Sequence, residues 1–176
     1  MARPDLDRRE LQRTRSDLKA RLGIAGDDAS ALLRSWDQAY AAWHASRATL
    51  ARLPWCLCHN EVSPGNSTYN DGVLALADFG LACGGPVGSD LHTLIRRSGN
   101  AIANPVHVDG LLRAYVSRIR AYDQSISLAD VRLAAWATLF LRYTNLKFSS
   151  ARYPNIFSLA IQRMIEVSRI DSAPAP

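Results

Sequence analysis

The stretch Leu57–Gly80 reads LCHNEVSPGNSTYNDGVLALADFG, and it decides how the rest of the chain is interpreted. It places a histidine, a glutamate, three asparagines and two aspartates close together, with turn-forming residues between them. The strand-like runs STY and VLALADF flank the turn sequence NDG, which predicts a β-hairpin. Oxygen-bearing side chains at the end of a hairpin suit either a magnesium–phosphate site or an ordinary polar turn.

The chemistry of phosphoryl transfer favours the first interpretation. The reaction needs a carboxylate that orients and deprotonates the acceptor hydroxyl, and it needs oxygen ligands for Mg²⁺. The segment contains a carboxylate at Glu61, an amide at Asn66 and, twelve residues later, a second carboxylate at Asp78. In kinase-like folds these groups come from a catalytic loop and from an Asp-Phe-Gly sequence after the following hairpin. The same order is present here.

Residues 54–91 resemble the catalytic core of the aminoglycoside phosphotransferase and choline kinase-like family, whose common pattern is HGDLHPGN…IDFG…DL. The matching residues are Pro64-Gly65-Asn66, Asp78-Phe79-Gly80, Pro86 and Asp90-Leu91. The resemblance implies a protein-kinase-like fold, ATP as the phosphate donor and Mg²⁺ as the cofactor. A small molecule with a hydroxyl group would be the acceptor.

The resemblance also implies a role for each residue that matches. Glu61 stands at the position of the catalytic base. Asn66 and Asp78 stand at the positions that bind Mg²⁺ and, through it, the nucleotide. His59 is a structural brace of the loop, and Asp90 either braces the same loop or caps the helix that follows it.

Two residues depart from the family pattern. Glu61 replaces the usual Asp, and the extra methylene moves the carboxylate by about one ångström, a misplacement that can cost about a hundredfold in rate. Asn60 replaces the usual Gly. The sequence leaves two interpretations of Glu61 open, a competent base and a degenerate one.

Helices are predicted on both sides of this segment. Apolar residues at helical spacing predict leading helices over residues 1–53 and C-terminal helices over 92–170, while CGGPVGSD (83–90) is predicted to be a loop. The expected fold class is mainly α (α+β). It is the helical C-lobe of a protein-kinase-like fold, with a short catalytic-loop strand and one β-hairpin, as a single domain over residues 1–170. The tail, 171–176, is expected to be disordered.

The N-lobe of such a fold is expected to be absent. Before His59 the chain has no G-x-G-x-x-G loop, and Lys19 is its one lysine. Three explanations are open: a truncated kinase, an N-lobe supplied by a partner chain or a homo-oligomer, or loss of catalysis. In the last case the chain is a pseudokinase-like interaction module that docks a partner through the face that would meet the N-lobe.

Composition sets the remaining expectations. Hydrophobic residues make up 48% of the chain, no apolar run is long enough to span a membrane, and the N-terminus is charged, so a cytoplasmic protein is expected. Cys56, Cys58 and Cys83 do not have the usual spacing of zinc ligands and are expected to be buried thiols.

The charge balance bears on the acceptor. Residues 91–176 carry eleven basic and five acidic residues, which favours a neutral or anionic acceptor over a polycationic one. No nucleic-acid motif is present, and nucleic acid is not an expected partner. Six aromatic residues in the same half either line an acceptor pocket or, as their helical spacing favours, belong to the core: Trp136, Phe140, Tyr143, Phe148, Tyr153 and Phe157.

Overall fold

The computed structural model describes residues 27–97, 105–144 and 154–170. These residues fall into two compact units. Unit 1 consists of residues 49–97 and 105–135, and unit 2 of residues 27–48, 136–144 and 154–170. The predicted helix before residue 27 and the predicted tail at 171–176 lie outside the described residues. The single domain over 1–170 stays a prediction.

Five helices carry most of the described residues, and they confirm the mainly α class. In chain order they are α1 (Asp27–Arg52), α2 (Leu91–Arg97), α3 (Pro105–Ile119), α4 (Leu128–Thr144) and α5 (Pro154–Ile170). The C-terminal helices predicted over 92–170 include residues 98–104 and 145–153, which lie outside the described residues. No described helix is long and apolar enough to cross a membrane.

The β structure of the described residues consists of two small antiparallel sheets. β1 (Trp55–Cys58) pairs with β4 (Cys83–Pro86), and β2 (Ser67–Asn70) pairs with β3 (Val73–Leu76). The second sheet is the predicted hairpin. The prediction of a loop over 83–90 was wrong for its first half. Cys83-Gly-Gly-Pro86 has no strand-like side-chain pattern, but it satisfies the backbone hydrogen bonds that β1 would otherwise leave open.

The core of unit 1 forms where α3 and the first turns of α4 bury apolar side chains. Ser127 caps α4, since its Oγ accepts a hydrogen bond from the backbone N–H of Asp130 at 3.1 Å and the Asp130 carboxylate accepts one from the Ser127 N–H at 2.9 Å. Gly88 has φ +95° and packs so closely against Val131 that a Cβ would lie 3.1 Å from its Cγ1. This contact anchors the loop after β4 to α4.

The core of unit 2 includes an aromatic face of α1. Trp36, Ala39 and Trp43 are buried at helical spacing, and the ring of Tyr40 stacks on Trp36 with centroids 5.7 Å apart. Trp136 and Phe140 on α4 are also buried, 4% and 0% exposed, in agreement with the core interpretation of these two aromatic residues. The burial of Tyr143, Phe148, Tyr153 and Phe157 lies outside the described part of the structure.

Candidate active site

The candidate site lies wholly in unit 1, where β1 delivers the chain into the loop His59–Asn66. His59 is the first residue of this loop and is 3% exposed. Its Nδ1 accepts a hydrogen bond from the Glu61 N–H at 3.2 Å, and its Nε2 lies 2.7 Å from the carbonyl oxygen of Ala77. A backbone N–H can only donate, so the hydrogen of the ring is on Nε2, which donates to Ala77. Both ring nitrogens are therefore engaged within the fold.

Asp90 holds the beginning of the loop from the other side. Its two carboxylate oxygens accept hydrogen bonds from the backbone N–H groups of His59, at 2.9 Å, and Asn60, at 2.6 Å. Asp90 directly precedes α2, and its own carbonyl oxygen accepts hydrogen bonds from the N–H and Oγ1–H of Thr93. Hydrogen bonds to a charged acceptor are about twice as strong as neutral ones. In this structure the side chain of Asp90 is directed to the loop.

Asn60 is a residue whose part in the site the sequence did not reveal. It is 5% exposed and has φ +64°, the left-handed conformation that explains a Gly at this position in the family pattern. Asn tolerates this conformation better than most residues do. Its Nδ2 lies within hydrogen-bonding distance of the carbonyl oxygen of Leu81, at 3.2 Å, and of Cys83 Sγ, at 3.1 Å. Asn60 thus links the loop to the chain that follows Asp78-Phe79-Gly80.

Glu61, the residue at the base position, is half-buried at the middle of the loop. Its backbone is held at both ends, because its N–H donates to His59 Nδ1 and its carbonyl oxygen accepts from Asn66 Nδ2 at 3.2 Å. Among the described residues, none forms a hydrogen bond or an ion pair with its carboxylate. The carboxylate can therefore accept a proton from a ligand without first breaking an internal contact.

Asn66 closes the loop through a short turn. Ser63 precedes the 3₁₀ turn Pro64–Asn66, and its Oγ accepts a hydrogen bond from the Asn66 N–H at 3.3 Å. Pro at the first position of the turn has the φ that the turn needs. Because the amide nitrogen of Asn66 is used on the Glu61 carbonyl, the side-chain oxygen is left for a ligand.

The register of the hairpin brings Asn66 and Asp78 to the same end of the β2–β3 sheet. Ser67 pairs with Leu76, and the Ala77 N–H donates to the Asn66 carbonyl oxygen at 2.9 Å, which extends the pairing by one residue. At the opposite end Asp71 and Gly72 both have positive φ, as a two-residue hairpin turn requires. Asp78 follows Ala77 directly, so the backbone places it next to the Asn66 position.

Asp78 has a left-handed backbone conformation. It has φ +60° and ψ +69°, is exposed, and its Oδ1 accepts a long hydrogen bond, 3.4 Å, from the Gly80 N–H. Next to it the ring of Phe79 packs against His59, with centroids 4.6 Å apart. Asp adopts this conformation more readily than most residues do, and left-handed non-glycine residues are concentrated at turns and functional sites.

The oxygen groups at this end of the hairpin suit Mg²⁺. The described residues contain no group of three or more His, Cys, Asp and Glu side chains placed to hold a metal ion. Mg²⁺ does not need one, because it is usually held by one or two carboxylates together with waters and substrate phosphates. The exposed carboxylate of Asp78 and the side-chain oxygen of Asn66 are hard ligands of the type that it prefers.

Comparison with known proteins agrees with the motif. No curated protein and no solved structure matches this chain. The model of one family, described as the phosphotransferase enzyme family, matches residues 1–126. That match covers well over half of the chain, including the whole loop and hairpin, and so the chain belongs to the phosphotransferase enzyme family.

Proposed function

We propose that the chain is the C-lobe of a small-molecule phosphotransferase that depends on ATP and Mg²⁺. Family membership supports the reaction class. One observation supports the site assignment above all others: two hydrogen bonds join its three parts. Asn66 Nδ2 donates to the Glu61 carbonyl oxygen, and the N–H of Ala77, the residue before Asp78, donates to the Asn66 carbonyl oxygen.

In the proposed reaction Glu61 is the general base. Its carboxylate takes the proton of the acceptor hydroxyl, the hydroxyl oxygen forms a bond to the γ-phosphorus of ATP, and the bond between that phosphorus and the β–γ bridging oxygen breaks, releasing ADP. Asn66 and Asp78 would hold Mg²⁺, which would neutralise phosphate charge. His59 and Asp90 keep the loop in place through the backbone groups described above.

The length of Glu61 leaves two forms of this proposal, a competent base and a degenerate one, and a pair of variants separates them. Glu61→Gln removes the carboxylate, and a competent base would then lose roughly a hundredfold or more in transfer rate. Glu61→Asp restores the family residue. A faster Glu61→Asp variant together with a slow wild type would assign Glu61 as degenerate. The measurement is phosphate transfer from ATP to a panel of sugars and phosphorylated small molecules.

A neutral or anionic acceptor fits the charge of the second half of the chain, where eleven basic residues stand against five acidic ones. One of the acidic residues, Asp109, is already paired with Arg113 and Arg132. A polycationic acceptor would have few carboxylates with which to pair.

Binding of the nucleotide provides the first test. We expect Mg-ATP to raise the Tm of the wild type, and we expect Asp78→Asn to abolish this shift because it removes the ligand charge. The matched control is Asp71→Asn, since Asp71 is also exposed and left-handed but lies at the other end of the hairpin. Asn tolerates the left-handed conformation at both positions. A wild type that does not respond to Mg-ATP, or equal responses of the two variants, would contradict the proposal.

A second candidate function is a pseudokinase-like interaction module. It is supported by apolar side chains that the motif-bearing segment exposes. Trp55 and Leu57 alternate along one face of β1 and are 59% and 71% exposed, and the cross-strand pair Tyr69 and Leu74 is 75% and 58% exposed. Exposed apolar surface of this kind marks interaction sites in many proteins.

The second candidate predicts association through this surface. Sedimentation velocity should show a dimer or larger species, and Leu57→Ser together with Tyr69→Ser should return the chain to a monomer. A wild type that stays monomeric at high concentration and responds to Mg-ATP would favour the phosphotransferase and reject the module.

A further inference from the structure

Two cysteine thiols lie side by side on β1, at the entrance to the loop. Cys56 is exposed and Cys58 is 1% exposed, and their Sγ atoms are 3.7 Å apart. Alternate residues of a strand point to the same face, which puts both side chains on one side of β1. The expectation that all three cysteines are buried was wrong for Cys56, and Cys83 is only half-buried.

Gly85 on β4 leaves room beside the Cys58 sulfur. Gly85 is the cross-strand partner of Cys56, and a Cβ at Gly85 would lie 3.1 Å from Cys58 Sγ. Such a distance is tighter than nine in ten Cβ contacts. The Cys58 sulfur therefore lies beside Gly85, in space that a larger residue at position 85 would partly fill. Because Gly85 is opposite Cys56, this position brings the Cys58 sulfur close to Cys56.

We propose that Cys56 and Cys58 are a peroxide-oxidised thiol pair that forms a reversible disulfide within β1. Cys56 is accessible to a peroxide, whereas Cys58 is accessible mainly to Cys56. The inference concerns the thiols alone and does not depend on the phosphotransferase assignment.

The proposed chemistry has two steps. The Cys56 thiolate attacks one oxygen of hydrogen peroxide, the O–O bond breaks, and the departing hydroxide takes a proton to become water, which leaves Cys56 as a sulfenic acid. The Cys58 sulfur then attacks the Cys56 sulfur, an S–S bond forms, and the S–O bond breaks. The hydroxyl leaves with the Cys58 proton as a second water. Two thiols and one peroxide thus give one disulfide and two waters.

The surroundings of Cys58 fit its role in the second step. Burial, together with the neighbouring Cys56 and Asp90, raises the pKa of the Cys58 thiol well above its ordinary value. A thiol that rarely ionises reacts slowly with peroxide in solution. A sulfenic acid held next to it reacts at a high effective concentration, so proximity offsets the low fraction of thiolate.

Strand geometry suggests that the bond would be easily reduced. The Cα atoms of residues i and i+2 on a strand are about 6.6–6.8 Å apart. This separation is at the upper end of the Cα–Cα range of disulfides, about 4.4–6.8 Å. Closing the bond therefore shortens the end of β1. Cys58 directly precedes His59, and its carbonyl oxygen accepts a hydrogen bond from Asn60 Nδ2 at 3.3 Å. Oxidation should disturb these loop contacts and lower the Tm.

Mass spectrometry of the whole chain tests the pair. The protein is treated with hydrogen peroxide, alkylated, and cleaved after Arg52 and after Glu61, which gives a peptide, Leu53–Glu61, that contains Cys56 and Cys58 but not Cys83. We expect this peptide to lose two hydrogens and to carry no alkyl group, while Cys83 is alkylated. Dithiothreitol should restore both thiols and the original Tm.

Three variants make the test decisive. Cys83→Ser should still form the bond, Cys58→Ser should stop at a Cys56 sulfenic acid that dimedone traps, and Cys56→Ser should leave Cys58 reduced. Full alkylation of both thiols after peroxide treatment, a disulfide between Cys58 and Cys83, or irreversible oxidation of Cys56 without a disulfide would each overturn the proposal. If the oxidised protein has the same Tm as the reduced protein, the proposed disturbance of the loop contacts is wrong.

Discussion

The motif-bearing segment of unit 1 and the helical core of unit 2 follow opposite rules of burial. In unit 2 nearly all of the buried side chains of the described residues are apolar, and they include the large Trp43, Phe140 and Met164. In the segment around the loop, the buried side chains include the polar His59, Asn60 and Ser63. Most of the large apolar side chains that the described residues expose lie in this same segment: Trp55, Leu57, Tyr69, Val73, Leu74, Phe79 and Leu81.

The difference shows how each region is held together. The helical core of unit 2 is stabilised by the removal of apolar surface from water. The loop is held by hydrogen bonds from buried polar side chains to its backbone, so that its outer side chains need not pack inward. A loop held in this way can present Glu61 and Asn66 to a ligand, next to Asp78 at the end of the hairpin. The exposed apolar residues around it are available for a ligand or a partner.

The largest expected effect tests this comparison directly. Phe140→Ala should lower the free energy of unfolding by about 3–5 kcal/mol, because it removes a fully buried aromatic side chain and leaves a cavity. Leu57→Ala is the matched control in the motif-bearing segment. Because the Leu57 side chain is 71% exposed, this substitution should change the free energy of unfolding by less than about 0.5 kcal/mol. Urea unfolding measures both. Equal losses would break the comparison.

The next effect tests the hydrogen bonds of the loop. Asp90→Ala leaves the N–H groups of His59 and Asn60 without their carboxylate, and we expect a loss of about 2–3 kcal/mol in the free energy of unfolding. Asp90→Asn keeps one acceptor oxygen and should lose less. If Asp90→Ala unfolds at the same urea concentration as the wild type, the loop is not held by this carboxylate.

A smaller effect separates the two properties of Asn60. Asn60→Gly removes the amide contacts but accepts φ +64°, whereas Asn60→Ala removes them and is also strained in the left-handed conformation. The Ala variant should therefore be less stable than the Gly variant by about 1 kcal/mol. The comparison uses the same urea titration. A Gly variant equal to the wild type would mean that the amide contacts to Leu81 and Cys83 add nothing.

The smallest expected effect is on stability at low pH and concerns the surface ion pairs of Asp109. Hydrogen bonding from Arg113, and then from Arg132, holds the pKa of Asp109 below its ordinary value of 3.8. Because the pKa is lowered in the folded state, ionised Asp109 stabilises the fold fully above about pH 4. This stabilisation is lost as the pH falls through the pKa that Asp109 has in the folded protein. Since the group is about one-third exposed, the loss should stay below about 1 kcal/mol. Asp109→Asn should remove that part of the acid dependence of Tm, and an unchanged profile would contradict the prediction.

Much of the fold could be predicted because its signals are local. The turn sequence Asp71-Gly72 needs positive φ at both residues and has it, and the period of apolar residues on α1 matches its buried face. Ser127, which directly precedes the apolar run of α4, caps that helix, and this signal is also local. The strand at Cys83–Pro86 was missed, since its glycines and proline have no side-chain pattern and its pairing is decided by β1, some 28 residues away in sequence.

The candidate site also has a part that the sequence could predict and a part that it could not. The residue types and order of Glu61, Asn66 and Asp78 come from the sequence, and their roles stay predictions. The place of Asn60 could not be read from its neighbours, because its side chain contacts residues more than twenty positions further along the chain. Nor could the exposure of Cys56, which lies on the same face of β1 as the buried Cys58.

By itself, the sequence determined the family, the mainly helical class, the hairpin and the oxygen-bearing residues, since each depends on residues close together along the chain. Only the tertiary structure decided how Asp90 reaches the loop backbone, how Asn60 links the loop to Leu81, and how Gly85 leaves room beside the Cys58 sulfur. Those contacts join segments that are distant in sequence. Their geometry depends on the packing of the whole unit, and no local pattern records it.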